Sequence, residues 1–180
     1  VATAQWEQLP NYFDVDHQER VLPMVDVSGS MTTPINGGRF GGSGVTCMQA
    51  AIALGIYCAE RNVGAFKDYY MTFTSHPTLQ RIPTGVSLQS RVKSITGHVG
   101  YDTNFDRAYR MILDTAVRRK VPQEEMPTML LVLSDMQFNQ GYSYVHTATA
   151  HERLTKAFAD AGYEIPKLVY WNLNASYGNN

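Results

Sequence analysis

No apolar run in this 180-residue sequence approaches the ~20 residues needed to span a bilayer, and no charged-then-apolar opening resembles a signal peptide. An excess of one charge is also lacking, since 15 basic and 16 acidic side chains leave a formal net charge of −1. With no global field, attraction to nucleic acid or to an anionic membrane would need a local patch. Cysteine is scarce, with Cys47 and Cys58 alone. Both fall within one predicted helix, whose rise sets them ~16 Å apart, beyond the ~7 Å Cα limit of a disulfide. An intramolecular bridge is excluded on that spacing. Two buried thiols suit a reducing, intracellular compartment, with the cytoplasm the expected location.

Against these absences stands a composition that favours folding. Hydrophobic residues make up 44% of the chain and charged residues 17%, so a single sizeable core is expected rather than disorder. The opening VATAQWEQLPNYFDV lacks a starting Met and reads like mid-protein sequence, which suggests a domain of something longer or part of a complex.

Strand and helix patterns alternate along the chain. Val21 to Val27 is a short apolar run and reads as a buried strand, with Pro23 expected near its start or at a bulge because it lacks a ladder donor. Val45 to Asn62 repeats apolar residues at helical spacing, Tyr69 to Thr74 reads as a strand, and Thr78 to Ile82 as a neighbouring edge strand. Helices are expected at Leu88–Ile95, Phe105–Lys120 and Thr149–Ala161, and strands at Met129–Leu133 and Lys167–Leu173. The fold class implied is α/β: a doubly wound, mainly parallel sheet with helices on both faces.

Chemistry concentrates where the first strand ends, at Asp26-Val27-Ser28-Gly29-Ser30. Ligands of doubly wound sheets bind beyond the carboxyl ends of the strands. Asp26, Ser28 and Ser30 alternate, so the departing chain could turn three oxygen side chains toward one point. A carboxylate with two hydroxyls is a hard, oxygen-only set, suited to Mg²⁺ or Mn²⁺ and not to zinc. Gly100-Tyr101-Asp102-Thr103-Asn104, just before a helix, offers a third hydroxyl in Thr103. Leu133-Ser134-Asp135 ends the most continuous strand and brings a second carboxylate to the same edge.

With Asp26, Ser28, Ser30, Thr103 and Asp135 in this order, the sequence resembles the von Willebrand A family and its metal-ion-dependent adhesion site, from about Val21 to about Leu173. The resemblance implies a metal contacted directly by Ser28, Ser30 and Thr103. Asp26 and Asp135 would act through water or alternate with direct contact, and a partner's Asp or Glu would complete the shell. The wording around the motif is most like intracellular members, such as the A-type domain of Ro-type RNA-binding proteins and related uncharacterised cytoplasmic or viral proteins. RNA binding is not carried over, because nothing here resembles the separate helical-repeat ring of Ro-type proteins. The family fold usually continues through one more helix and strand, so this chain is expected to lack that last unit. The division implied is an extension at 1–20, a domain at 21–173 and a frayed tail at 174–180.

Other readings are weaker. The glycine-rich stretch from Gly37 to Gly44 lacks the Gly-Lys-Ser/Thr ending of a P-loop and reads as a flexible rim, with Ser43 near the helix start. Arg39 and Phe40 at its tip are candidate partner contacts. Asp102 and Asn104 are further candidates there, or else turn formers or support for the metal. His146, His151 and Glu152 do not make His-Glu-x-x-His, and Arg118-Arg119-Lys120 suits a helix C-terminus. A Mg²⁺-dependent phosphoryl-transfer enzyme with Asp26 as nucleophile would want an acid/base where Ser28 stands. The expectation is therefore a non-enzymatic, metal-dependent binding module for an acidic protein partner, with no membrane and no direct nucleic-acid contact. The alternative is a structural subunit of a larger particle with a stabilising or vestigial metal site.

Overall fold

The computed structural model describes residues 2–13, 19–35, 44–97, 104–136 and 148–174. Five strands form one sheet: β1 (Val21–Val25), β2 (Tyr69–Thr72), β3 (Leu79–Arg81), β4 (Met129–Ser134) and β5 (Lys167–Asn172). Their spatial order is β3-β2-β1-β4-β5, with β3 antiparallel to β2 and every other pairing parallel. The helices are α1 (Ala2–Glu7), α2 (Cys47–Arg61), α3 (Leu88–Thr96), α4 (Phe105–Arg119) and α5 (Ala148–Asp160). This is a doubly wound α/β fold.

The strand sequences explain the two layers. Successive side chains of a strand point to opposite faces. Val21 and Val25 of β1, with Leu131 and Leu133 of β4, join the core beneath α2 and α3, which contribute Ile52, Ile56 and Ile95. Leu22, Met24, Leu130 and Val132 face the other way and pack on Phe105 and Ile112 of α4 and Leu154 and Phe158 of α5. Both faces of the central strands are apolar because both are covered.

Pro23 departs from expectation, for it occupies the middle of β1 rather than its start. Val21 donates its N–H to Asn62 Oδ1, and Asp26 donates to the Leu133 carbonyl, so alternate nitrogens of β1 face β2 and β4 in turn. The nitrogen of Pro23 therefore faces β2, one residue ahead of the first β1–β2 pair, Met24↔Met71. The missing donor falls where that ladder has not begun, which makes proline tolerable in a central strand.

Helix starts follow local chemistry. Thr46, not a residue of the glycine-rich stretch, caps α2, in a reciprocal pair with Gln49. Ser87 caps α3 and Asn104 caps α4. Cys47 and Cys58 are both in α2, buried and free.

Residues 2–13, within the stretch expected as an extension, include α1 and lie against α2 and α3. The largely buried Arg91 guanidinium bridges Glu60 at 2.8 Å and Glu7 at 3.4 Å. Trp6 donates to the other oxygen of Glu60 at 2.8 Å, and the Tyr57 hydroxyl donates to the Pro10 carbonyl. Arg61 stacks over the Tyr57 ring and donates to the carbonyls of Trp6 and Leu9. At the other end of the chain, Asn174, read as the first residue of a frayed tail, is itself buried.

At Gly55, α2 lies so close to the sheet that a Cβ would stand 2.4 Å from Val25 Cγ2. Gly55→Ala is expected to cost ~1–3 kcal/mol through overpacking. Gly97→Ala, whose Cβ would meet nothing nearer than 3.9 Å, should stay within ~0.5 kcal/mol of the parent. Urea denaturation checks both, and pairing Gly55→Ala with Val25→Ala should give less than the sum of the single costs.

Candidate metal centre

Parallel pairing carries β1 and β4 out of the sheet at the same edge. Val25 pairs with Leu133, so Asp26 leaves β1 alongside Ser134 and Asp135 at the end of β4. The next residues of the first strand turn into a short 3-10 helix, Gly29–Thr32. That turn brings Ser28 and Ser30 back over the strand ends.

One hydrogen-bonded oxygen network results. Asp26 accepts from the Ser28 N–H through Oδ1 at 2.9 Å and from the Ser134 hydroxyl through Oδ2 at 2.7 Å. Ser28 Oγ and Ser30 Oγ lie 3.2 Å apart, and Ser30 Oγ donates to Asp135 Oδ1 at 3.3 Å. If Ser30 spends its proton on Asp135, Ser28 must be the donor to Ser30. Both hydroxyl protons then run toward a carboxylate, and oxygen lone pairs are left for a cation.

The backbone around Asp135 is held as firmly. Its N–H donates to Met31 Sδ at 3.1 Å, and Met31 is fully buried under the 3-10 turn. Met136 adopts φ 61°, in the left-handed region that non-glycine residues rarely occupy. Its N–H donates to Ser134 Oγ at 3.1 Å, an interaction that helps hold this unfavourable turn beside the carboxylates.

Burial disfavours charge in the cluster. Asp26 is 2% exposed and Asp135 1%. Burial pushes the Asp26 carboxyl above its ordinary value, against the lowering effect of its hydrogen bonds to Ser134 and Ser28, and the Asp135 charge adds to the rise. No lysine or arginine among the described residues forms an ion pair with Asp26. The donor set is two carboxylates and two serine hydroxyls, without nitrogen or thiolate. Among the described residues no group of three or more His, Cys, Asp or Glu could hold a metal, so a zinc-type centre is not built here. Hard oxygen donors with little charge fit Mg²⁺ or Mn²⁺.

Of the residues singled out in the sequence, Asp26, Ser28, Ser30 and Asp135 come together. Asn104 is the cap of α4, its Oδ1 accepting from the Arg107 N–H at 3.0 Å. Thr103, Asp102, Arg39, Phe40, Ser43 and His146 lie outside the described residues. His151 is exposed on α5. Two contributors were not singled out, Ser134 and Met31. Ser134 stands beside Asp135 at the strand end, a position that signals a hydroxyl at this edge, whereas nothing in the sequence marks Met31 as an acceptor.

The thiols offer no nucleophile. Burial, and then the Asp135 charge, push the Cys47 thiol up, and burial pushes Cys58 up to about 11. Both are protonated and inert at neutral pH.

The family described as "Domain of unknown function (DUF7788)" matches residues 20–180. Uncharacterized protein L728 of Acanthamoeba polyphaga mimivirus is 33% identical over 175 residues, covering 96% of this chain and 28% of its own length. The Deinococcus radiodurans RO (RSR) protein has a similar fold, with a TM-score of 0.53 at 20% identity, over 90% of this chain and 29% of that one. The chain thus spans less than a third of either relative.

Asp26 gives a pH test of the cluster's electrostatics in chelated, metal-free buffer. Its raised folded pKa means that above the unfolded value of 3.8 the folded chain retains a proton that the unfolded chain has released. Stability from this group falls as pH climbs from 3.8 to the raised folded value and stays low beyond it. Melting curves in EDTA should therefore show the difference between Asp26→Asn and the parent shifting in the variant's favour between acid and neutral pH. Parallel pH curves would contradict the assignment.

Proposed function

The chain belongs to the DUF7788 family, and from that premise we propose that it is a von Willebrand A-type binding domain, non-catalytic, that offers one Mg²⁺ to a carboxylate of a protein partner. The observation that carries this reading is the single oxygen network joining Asp26, Ser28, Ser30 and Asp135 across two strand ends. Hydroxyl ligands leave much of the ion's charge uncompensated, so an outside Asp or Glu is attracted to it. Thr103 would supply the third hydroxyl, on the strength of the family resemblance. Arg39, Phe40 and Asp102 remain candidates for partner contact on the sequence alone.

Two observations weigh against chemistry at this edge. An acid/base is lacking at position 28, where serine stands in the network, and neither thiol is ionised at neutral pH. No described helix is long and apolar enough to cross a membrane. An intracellular setting, suggested by the free thiols, completes the proposal.

Isothermal titration of the chain with MgCl₂ should give saturable one-site binding that Asp26→Ala and Ser28→Ala both abolish. Magnesium at about a hundred times its dissociation constant should add ~2.7 kcal/mol of stability to the parent and none to the variants. A folded parent chain that takes up neither Mg²⁺ nor Mn²⁺ would refute the metal reading. Assembly into a larger particle that persists in Ser28→Ala would favour a structural role.

A further inference from the structure

Ser134 is not one of the residues that the resemblance assigns to the metal, yet it is the junction of the network. Its buried hydroxyl donates to Asp26 Oδ2 at 2.7 Å and accepts the Met136 N–H at 3.1 Å. It therefore touches the carboxylate of the first strand's exit and the strained turn that follows the carboxylate of the fourth. Asp26 has its other oxygen engaged by the Ser28 N–H at 2.9 Å.

From this geometry we infer that Ser134 is a positioning residue of the metal centre, which locks Asp26 and the Asp135–Met136 turn into one cation-ready arrangement. The inference rests on the metal reading above and adds a residue to it. With both Asp26 oxygens held by donors of the protein, the carboxylate cannot swing freely toward a cation. It acts as a fixed negative charge behind the serine hydroxyls. Ser30 and Asp135 are tied to each other, so fixing the turn after Asp135 also fixes the hydroxyl that faces the ion. A serine hydroxyl can donate once and still accept, which lets one atom serve both strand exits. Alanine would strip a donor from the buried Asp26 carboxylate and an acceptor from the part-buried Met136 N–H together. Outer hydrogen-bond partners of metal ligands commonly change affinity by 10–100-fold when removed.

The test is the Mg²⁺ affinity of the full chain by isothermal titration, with melting in EDTA recorded for each variant. Ser134→Ala should weaken Mg²⁺ binding at least tenfold, and Ser134→Thr, which keeps the hydroxyl, should return to within about threefold of the parent. Val132→Ala, a core substitution on the same strand, should lower the metal-free melting temperature while leaving Mg²⁺ affinity unchanged, which separates positioning from stability. Ser134→Cys, close in size and a weaker donor, should fall between parent and alanine, and carries the comparison if the alanine chain does not fold. Parent-like affinity in Ser134→Ala or Ser134→Cys would overturn the role of Ser134 alone. A parent chain that binds no Mg²⁺ would overturn the metal reading and this inference with it.

Discussion

The register of β1 on β4 is the constraint on which the candidate site depends. Because Val25 pairs with Leu133, the Asp26 N–H reaches the Leu133 carbonyl and the two chains leave the sheet level with each other. A slip of β1 by one residue would turn Val21 and Val25 away from α2 and put Leu22 and Met24 in their place, mismatching both layers of the core. The register is thus enforced by burial on both faces. The meeting of Asp26, Ser134 and Asp135 is a consequence of packing that lies entirely below the site.

What packing brings together, electrostatics resists. Two carboxylates almost fully removed from water stand close enough for one charge to disfavour the other. Such a pair is costly unless hydrogen bonds or a cation offset it. Serine hydroxyls and backbone N–H groups do part of that work here, through the Ser134 hydroxyl and the Ser28 N–H on Asp26 and the Ser30 hydroxyl on Asp135. The left-handed Met136 belongs to the same balance, as an unfavourable backbone state adjoining the carboxylates. The oxygen donors gathered here are the basis of the proposal that the site takes a hard divalent cation.

The rest of the molecule secures the platform. Gly55 lets α2 lie directly on Val25, one residue before Asp26. Cys47, at the start of the same helix, is buried and donates to the Leu173 carbonyl at 3.4 Å, which ties the helix to the end of β5. On the outer side of α2, the segment from Ala2 to Phe13 is bound through Trp6, Tyr57 and Arg61 and through the bridges of Arg91. Helix α2 is thus gripped from the sheet, from the far strand and from the N-terminal segment at once.

Much of the fold was legible in the sequence because its strands and helices carry strong, unambiguous periods. Runs such as Met129–Leu133, apolar at every position, announce a strand covered on both faces, and Phe105–Lys120 shows its apolar stripe at helical spacing. The ends were less so: α1 is a short helix whose stability comes from contacts rather than from its own pattern, and Asn174 is buried by its surroundings. Pro23 was misplaced because its tolerance depends on where β2 begins, which no residue of β1 encodes. The oxygen-bearing residues Asp26, Ser28, Ser30 and Asp135, singled out in the sequence, do meet in the fold, because each stands where a strand leaves the same edge of the sheet. What only the tertiary structure decided was the wiring: that Ser134 reaches Asp26 across the two strand exits, and that Met31 accepts the Asp135 N–H. Those roles depend on which atoms meet across more than a hundred residues of chain, and sequence spacing does not carry that distance.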